Sequence, residues 1–201
     1  MKRFLVIFAA ISLLTDVFAS CPVGVVAVDL GLPSGTKWAN MNVGATKPEE
    51  FGGCYAWGEA KEKSANNWAN YVHCDGTEKT CHNLGEDISG TKYDVAHVKW
   101  GGDWKMPTIE QFVELYLYCT SKWTTVNGVK GYEFTSEING KSIFFPAAHD
   151  NGLNKFGAYW TSTLYESDSR RAYNLFFESF DSDTKSSSRC YGLSVRPVCG
   201  K

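Results

Sequence analysis

The 201-residue sequence lacks several features that would assign it to common functional classes. It has no glycine-rich phosphate-binding loop, and the segment Gly31 to Gly35 is not a G-x-S-x-G nucleophile elbow because its serine stands one position late. Its 20 Lys and Arg residues are outnumbered by 22 Asp and Glu residues, and no arginine-rich run occurs. The charge pattern therefore gives no support for nucleic-acid binding.

The sequence also lacks the usual patterns of catalytic and metal-binding residues. Only four histidines occur, and none stands in a motif that links it to a serine, a cysteine or a carboxylate. Asp181 and Asp183 begin like a calcium loop, but Lys185 occupies the fifth position and no glycine follows, so a solvated acidic loop is predicted. We expect no enzyme activity, no bound metal and no cofactor.

A long hydrophobic run occurs only at the N-terminus. Lys2 and Arg3 precede an apolar or small stretch from Phe4 to Leu14, which is too short to span a bilayer and is typical of a signal peptide. Residues 1–20 are therefore predicted to be the signal peptide, and residues 21–201 a single domain without a linker. Removing the signal peptide changes the formal net charge from −2 to −3.

The end of the signal peptide is compatible with two kinds of processing. Val17-Phe18-Ala19 fits a cleavage site before Ser20, which would give a secreted form, whereas Phe18-Ala19-Ser20-Cys21 is similar to a bacterial lipobox, in which Cys21 receives a lipid through its sulfur. Seven cysteines leave one unpaired in an exported chain, and lipidation of Cys21 leaves an even six. This parity favours an exported lipoprotein, anchored at the outer membrane or cell surface.

The segment from Trp100 to Cys119 has the clearest helical period. Its apolar stripe consists of Ile109, Phe112, Val113, Tyr116 and Cys119. Thr108 and Gln111 fit a capping box, so the helix is predicted to begin after Thr108. A helix with one apolar stripe must bury it, and most of the remaining chain shows short strand patterns. We therefore expect this helix to lie across a sheet.

Short strand patterns, separated by turn residues, make up most of the other segments. Two strands are predicted in Val23–Ala39 around a Pro33-Ser34-Gly35 turn, with Val26, Val28 and Leu30 on one face. A hairpin is predicted from Gly131–Thr135 and Ser142–Phe145, with a type I′ turn at Asn139-Gly140. Further strands are predicted at Ala158–Thr163, Ala172–Phe177 and Gly192–Val198. Pro48-Glu49-Glu50 allows at most one short second helix. These elements indicate an α+β fold with antiparallel strands.

Residues 64–93 are polar and contain Cys74 and Cys81, each beside a histidine. Zinc binding by His73-Cys74 and Cys81-His82 is one interpretation, but adjacent residues of an extended chain point to opposite sides, and structural zinc sites use spaced ligands. In an exported protein a Cys74–Cys81 disulfide is the better interpretation. The segment is therefore predicted to be a long loop that this disulfide closes.

The last third of the sequence holds the candidate binding residues. If Tyr173, Leu175 and Phe177 point into the core, strand alternation sends their neighbours outward. An exposed mixture of rings and polar groups is typical of ligand-binding surfaces, although the same rings could equally close a small aromatic core. The predicted binding residues are Tyr165, Asp168, Arg170, Asn174, Phe176, Glu178, Phe180, Arg189 and Tyr191.

Several sequence blocks between about Val28 and Cys199 together carry a family resemblance. They are VDLGLPSGTKWA, NVGATKPEEFG with YAWGE, DVAHVKWGGDWKMPT, FFPAA, YWTST and YGLSVRPVC. In this combination they resemble the Fibrobacter succinogenes major paralogous domain, which is common in exported and lipid-anchored proteins of gut Bacteroidetes. The resemblance implies a C-type lectin-like fold of twisted antiparallel sheets, one main helix and a long loop region. It also implies that Val26–Leu30 pairs near Ser194–Val198.

The function that this resemblance implies is a non-catalytic, monomeric cell-surface module that recognises a glycan or a protein. Its membrane attachment would be through the lipid on Cys21 alone. One alternative is a structural subunit or tip of a surface appendage. Another is an enzyme related to the formylglycine-generating branch, which would need a reactive cysteine pair in a cleft. The EPN, QPD and WND triplets of calcium-dependent lectins are absent, so no calcium-bridged sugar site is expected.

The cysteine positions depart from the family pattern. Where relatives often read WATCNVGA, this sequence has Met41, which leaves Cys119 needing another partner. Cys54 and Cys190 stand where relatives usually carry an ordinary residue such as Tyr. These departures imply a Cys54–Cys190 bond and a Cys119–Cys199 bond beside the Cys74–Cys81 bond.

Overall fold

The structure is a computed structural model that describes residues 21–78, 80–147 and 155–200, so the predicted signal peptide lies outside the described residues. The elements are β1 (Ala27–Asp29), β2 (Lys37–Ala39), a short 3-10 helix (Trp68–Asn70), α1 (Val95–Trp100), α2 (Ile109–Tyr118), β3 (Cys119–Val126), β4 (Val129–Ser136), β5 (Ser142–Pro146), β6 (Phe156–Leu164), β7 (Arg171–Glu178), β8 (Asp181–Ser188) and β9 (Val198–Cys199). Within these ranges, none of the helices has the length and hydrophobicity needed to cross a membrane.

The described strands form three antiparallel sheets of three strands each, ordered β1-β2-β9, β3-β4-β5 and β6-β7-β8. Isolated bridges join separate parts of the chain, among them Lys105 with Val198 and Tyr159 with Ser194. Mostly antiparallel sheets with two α-helices agree with the predicted α+β class. The long segment between β2 and α1 contains little regular structure and supplies much of the molecular surface discussed below.

Helix α2 begins as predicted. The Thr108 side chain accepts the N–H of Gln111, and the Gln111 side chain accepts the N–H of Thr108, which completes the capping box. The predicted apolar stripe is wrong at Val113, whose side chain is 42% exposed, because the helix buries Leu115 instead. Phe112 and Leu115 are therefore the buried residues of α2, which contacts strands of two different sheets, and the buried Cys119 follows as the first residue of β3.

The N-terminal strands differ from the prediction in two ways. Val26 is 56% exposed and lies before β1, so Val26 and Leu30 do not share a buried face. Strand β2 lies between β1 and β9, and the predicted direct pairing of Val26–Leu30 with the C-terminal segment is wrong. The predicted turn is confirmed, because Gly35 donates its N–H to the carbonyl of Leu32 at 2.8 Å.

The two central hairpins place their turns differently from the prediction. Asn127 and Gly128, both with positive φ (49° and 84°), connect β3 to β4, as a type I′ turn requires. At Asn139-Gly140 only the glycine has a positive φ, so the predicted type I′ turn there is wrong. The hydroxyl of Ser136 accepts the N–H groups of Ile138 and Asn139, and these bonds hold the longer β4–β5 turn in another conformation.

Three further predictions are corrected by the secondary structure. Asp181–Ser188 is not a solvated loop but strand β8, which pairs with β7 along its whole length. The predicted strand Gly192–Val198 is reduced to bridges at Leu193 and Ser194 before β9. The second helix lies at Val95–Trp100, where the buried Asp94 caps its N-terminus, whereas Pro48-Glu49-Glu50 forms only a turn.

Both faces of strands β6 and β7 carry hydrophobic core, whereas the residues of β8 are exposed or only partly buried. Ala158 and Trp160 point into one buried cluster, together with Tyr55 and Trp57 of the long segment. Tyr159 and Phe177 point into a second cluster, which also contains Trp38 of β2 and Phe112 of α2.

The predicted Cys74–Cys81 disulfide is confirmed. The two other predicted bonds are wrong, because Cys54, Cys119, Cys190 and Cys199 are free thiols. The backbone of Tyr55 forms a β-bridge with Leu193. The Cys54 side chain is hydrogen-bonded to Ser194, which is four residues along the chain from Cys190. Cys119 pairs with Ser136 in one sheet, whereas Cys199 pairs with Lys37 in another and lines a cleft with Cys21.

Candidate ligand-binding groove

The structure does not bring the predicted binding residues together on one surface. Tyr165, Asp168 and Arg170 lie in the turn between β6 and β7, whereas Glu178 and Phe180 lie at the turn between β7 and β8. Strand β7 has eight residues and so spans roughly 25 Å. The predicted residues of the β6–β7 turn therefore lie at the opposite end of β7 from Glu178 and Phe180.

The β6–β7 turn uses its polar groups internally. Arg170 donates two hydrogen bonds of 2.8 Å to the carboxylate of Asp168, and these bonds lower the pKa of that carboxyl group. The Tyr173 hydroxyl donates to Glu166 at 2.7 Å, and the Tyr165 ring meets the Tyr173 ring edge to face. These polar side chains therefore pair with one another within the turn.

Arg189 was predicted to contact a ligand, but it is 1% exposed. Its guanidinium group lies 4.8 Å from the ring of Trp57 and donates to the Tyr71 hydroxyl at 3.0 Å. It also donates to the carbonyls of His82 and Ser169, at 3.2 and 2.9 Å. Arg189 therefore joins the disulfide-closed loop to the β6–β7 turn, and its role is structural.

Asn174 was predicted to face outward, but it is 1% exposed. Leu175 and Phe177 enter a core as strand alternation predicts, but Tyr173, predicted on the same inward face, is only partly buried and donates its hydroxyl to Glu166. The error arises because the opposite face of the sheet is also covered, by the cluster that contains Trp160. The Asn174 side chain is therefore a buried polar group, and its Oδ1 atom has no hydrogen-bond partner among the described residues.

Two predicted residues, Phe176 and Tyr191, line the same surface recess of about 350 Å³. We call this recess the aromatic groove. Its lining residues are Asn66, Phe156, Ala158, Phe176, Ser187, Tyr191, Gly192 and Leu193. The groove lies where the cover of the β6-β7-β8 sheet ends, and it combines rings, an amide and a hydroxyl.

The two predicted rings present themselves differently. Phe156 stacks on Phe176 with ring centroids 5.4 Å apart, and the Lys185 ammonium lies 4.0 Å from the Phe176 centroid. Because β7 lies between β6 and β8, these partners approach Phe176 from opposite sides. Phe176 is therefore part of the wall, whereas Tyr191, 53% exposed, offers an open aromatic surface.

Asn66 is the main polar residue of the groove. Its Oδ1 atom is buried and has no hydrogen-bond partner among the described residues, a state that costs free energy until a partner reaches it. Its amide packs on Gly192, where an added Cβ atom would lie only 2.3 Å from the Asn66 Nδ2 atom. Because Gly192 has no side chain, it leaves the space that the Asn66 amide occupies.

Sequence reasoning missed Asn66, Phe156, Lys185 and Ser187. Lys185 and Ser187 lie two residues apart and point to the same face of β8, but their segment contains no hydrophobic residue and was interpreted as a loop. Asn66 comes from an irregular segment in which no local signal predicts its position. Phe156 directly extends the predicted strand Ala158–Thr163, so a longer strand prediction would have included it.

The described residues give little support for metal or thiol chemistry. No group of three His, Cys, Asp or Glu residues among them could hold a metal ion. Burial raises the pKa of Cys54, Cys190 and Cys199, and it raises the pKa of Cys119 to about 11. Thiols with a raised pKa remain protonated at neutral pH and are weak nucleophiles.

Known proteins supply no identification. Comparisons with protein-family models, with curated proteins and with solved structures found no match to this chain. The candidate site is therefore judged by its own geometry: a shallow recess with one open ring, one amide and one hydroxyl. Such a recess can bind a small ligand through ring contact and hydrogen bonds.

Proposed function

We propose that this protein is an exported, non-catalytic module that binds a glycan in the aromatic groove. The observation that carries the proposal is the half-exposed Tyr191 ring beside the Asn66 amide and the Ser187 hydroxyl. Aromatic side chains combine a flat apolar surface with a polar tip, which suits the apolar face and the hydroxyl edge of a sugar ring. The raised pKa values of the buried thiols support a non-catalytic role.

We also propose that the fold is the C-type lectin-like fold of the Fibrobacter succinogenes major paralogous domain. The proposal is supported by the pairing of the N-terminal strand β2 with the C-terminal strand β9, and by the long irregular segment before α1. The central helix α2 packed against strands is a further point of agreement. An experimentally determined structure whose core strands follow another order would contradict this assignment.

The glycan proposal can be tested with one tyrosine variant and one phenylalanine variant. Glycans that bind the mature domain are first found by array screening, and affinities are then measured by calorimetry. Tyr191→Ala should weaken binding at least tenfold, which corresponds to about 1.4 kcal/mol. Phe180→Ala is the matched control, because Phe180 is 95% exposed but does not line the groove. Equal affinity in both variants would exclude the groove as the binding site.

We propose that Cys21 carries the lipid that anchors the module to the cell surface. Cells fed an alkyne-labelled fatty acid should then label the wild-type protein and not the Cys21→Ser variant. Cys21 and Cys199 line one cleft of about 530 Å³, so a disulfide between them is the alternative to lipidation that the experiment must test. A Cys21–Cys199 crosslinked peptide, detected by mass spectrometry without reduction, would exclude lipidation of that sulfur.

A structural role in a surface appendage is the second candidate, and Phe180 is the observation that favours it. Its ring is 95% exposed at the tip of the β7–β8 hairpin, where it could dock on a partner chain. Self-association of the purified domain, measured by light scattering and abolished by Phe180→Ala, would support this role. A monomer at millimolar concentration would count against it.

A further inference from the structure

A second recess occurs in the long irregular segment and is built from a different kind of residue. It has a volume of about 570 Å³, which is within the range of small-ligand pockets, and we call it the lysine cleft. Its lining residues are Gly58, Glu59, Ala60, Lys61, Lys63, Val72, His73, Lys92 and Tyr93. The lysine cleft and the aromatic groove share no lining residue.

The wall of the lysine cleft is fixed in place by packing around His73. Its imidazole ring meets the rings of Tyr71 and Tyr93 edge to face, with centroids 5.5 and 5.3 Å apart. Its Nε2 atom lies 2.9 Å from the carbonyl oxygen of Gly58. The adjacent Cys74–Cys81 disulfide closes the hairpin that carries His73. A cleft with such a wall is preorganised, which lowers the cost of ordering residues when a ligand binds.

The charge of the cleft is positive. Its one carboxylate, Glu59, is 7% exposed and already accepts the N–H of Val72 at 2.9 Å and the ammonium of Lys63 at 2.5 Å. Lys63 also donates to a backbone carbonyl at 2.8 Å, so two of the three N–H groups of its ammonium already have partners. Lys61 and Lys92 form no ion pair with the described residues. The Lys92 ammonium lies over the Tyr93 ring, 5.1 Å from its centroid, a contact that leaves its charge able to pair with an anion.

The remaining wall groups narrow the ligand class. Burial lowers the pKa of His73, which keeps the imidazole neutral at pH 7. With the Nε2 hydrogen donated to Gly58, the Nδ1 atom is an acceptor and suits a hydroxyl group. Val72, 63% exposed, provides an apolar rim. The cleft thus combines the lysine ammonium groups, the His73 Nδ1 atom as an acceptor for a ligand hydroxyl, and an apolar surface.

We propose that the lysine cleft binds an acidic sugar, a hydroxylated ring whose carboxylate pairs with Lys61 and Lys92 while its apolar face packs against Val72. A neutral sugar would leave both ammonium groups without an ion-pair partner. This site does not depend on the aromatic groove, and it gives the protein a second ligand class. Because both lysines are close to solvent, added salt should screen the attraction and weaken binding.

The test uses the mature domain with a galacturonic acid oligomer and its fully methyl-esterified form. The two probes have the same length and the same ring hydroxyl groups, and esterification replaces each charged carboxylate with a neutral methyl ester. Calorimetry should show at least tenfold tighter binding of the acid form at low salt. The double variant Lys61→Gln and Lys92→Gln should weaken that binding at least tenfold. The matched control is Lys122→Gln with Lys130→Gln, which removes the same charge from β3 and β4 and should bind normally.

Two further variants separate this proposal from its competitors. Val72→Asp should weaken acid binding by charge repulsion, whereas Val98→Asp on helix α1 should not. Tyr191→Ala should leave acid binding unchanged, so failure of the aromatic groove and failure of the lysine cleft can be distinguished. The proposal would be overturned if both probes bound equally or if the acid form did not bind. It would also be overturned if a sulfated sugar bound in place of the acid form, or if the two double variants had equal effects.

Discussion

The aromatic groove and the lysine cleft are held together by different interactions. The groove is built on β6, β7 and β8, whose backbone hydrogen bonds position Phe156, Phe176 and Ser187. The cleft is built on irregular chain, where side-chain bonds and one disulfide replace strand pairing. Sheet-based sites inherit the stability of the fold, whereas loop-based sites depend on a few cross-links. The two recesses should therefore respond differently to the same perturbation.

The largest effect is expected at Arg189, the residue that connects the two regions. Arg189→Met leaves the carbonyls of His82 and Ser169 without these donors and removes the contact with Trp57. Lost bonds to a buried charged group should lower the free energy of unfolding by about 3 kcal/mol. Urea denaturation measures this change, and binding at both recesses should weaken as the loop loses its attachment.

The control for Arg189 lies in the neighbouring turn. Arg170 also makes hydrogen bonds at both ends of its guanidinium group, but it is exposed and pairs with Asp168 in solvent. Arg170→Met should therefore lower the free energy of unfolding far less than Arg189→Met does. If both variants lost the same stability, burial of Arg189 would not be what joins the loop to the sheet.

The disulfide should separate the two recesses most clearly. Cys74 and Cys81 close a short loop beside His73, and its loop-closure entropy is worth about 2.5 kcal/mol. The Cys74→Ala and Cys81→Ala double variant should lose most of its affinity for the acidic sugar and keep its affinity for the groove ligand. Reduction of the wild-type protein gives the same test without a sequence change. Parallel loss of both affinities would contradict the proposed difference between the recesses.

The features predicted correctly from the sequence are those encoded by nearby residues. The capping box of Thr108 and Gln111 needs only two side chains three positions apart, and the Cys74–Cys81 bond joins cysteines seven positions apart. Strand β7 was also predicted within one residue at each end, because its alternating side chains give a local signal. Short-range patterns of this kind do not depend on the rest of the fold.

The incorrect predictions concern residues whose environment is set by distant segments. Asn174 was expected at the surface because alternation cannot show that the long segment before α1 covers its face of the sheet. Strand β8 was missed because its residues are polar, and backbone pairing with β7 forms it rather than hydrophobic burial. The lysine cleft was not predicted, since Lys61 and Lys92 are 31 positions apart and meet only through the path of the loop.

The smallest effect is expected at Gly192, and it tests the groove without disturbing the cleft. In Gly192→Ala the new methyl group would lie 2.3 Å from the Asn66 Nδ2 atom, so the amide must rotate away. Because the Asn66 side chain is only partly buried, it can move at low cost, and we expect a stability loss below about 1 kcal/mol. Calorimetry should show groove binding weakened about fivefold, with acidic-sugar binding unchanged.

A double-mutant cycle shows whether this loss arises through Asn66. Asn66→Ala removes the amide that the new methyl group displaces, so adding Gly192→Ala to it should have no further effect on groove binding. If the two losses added instead, the methyl group would act on the ligand directly, and Asn66 would not be the polar contact. Because only the groove ligand should be affected, the acidic sugar serves as the internal control for folding in every variant of the cycle.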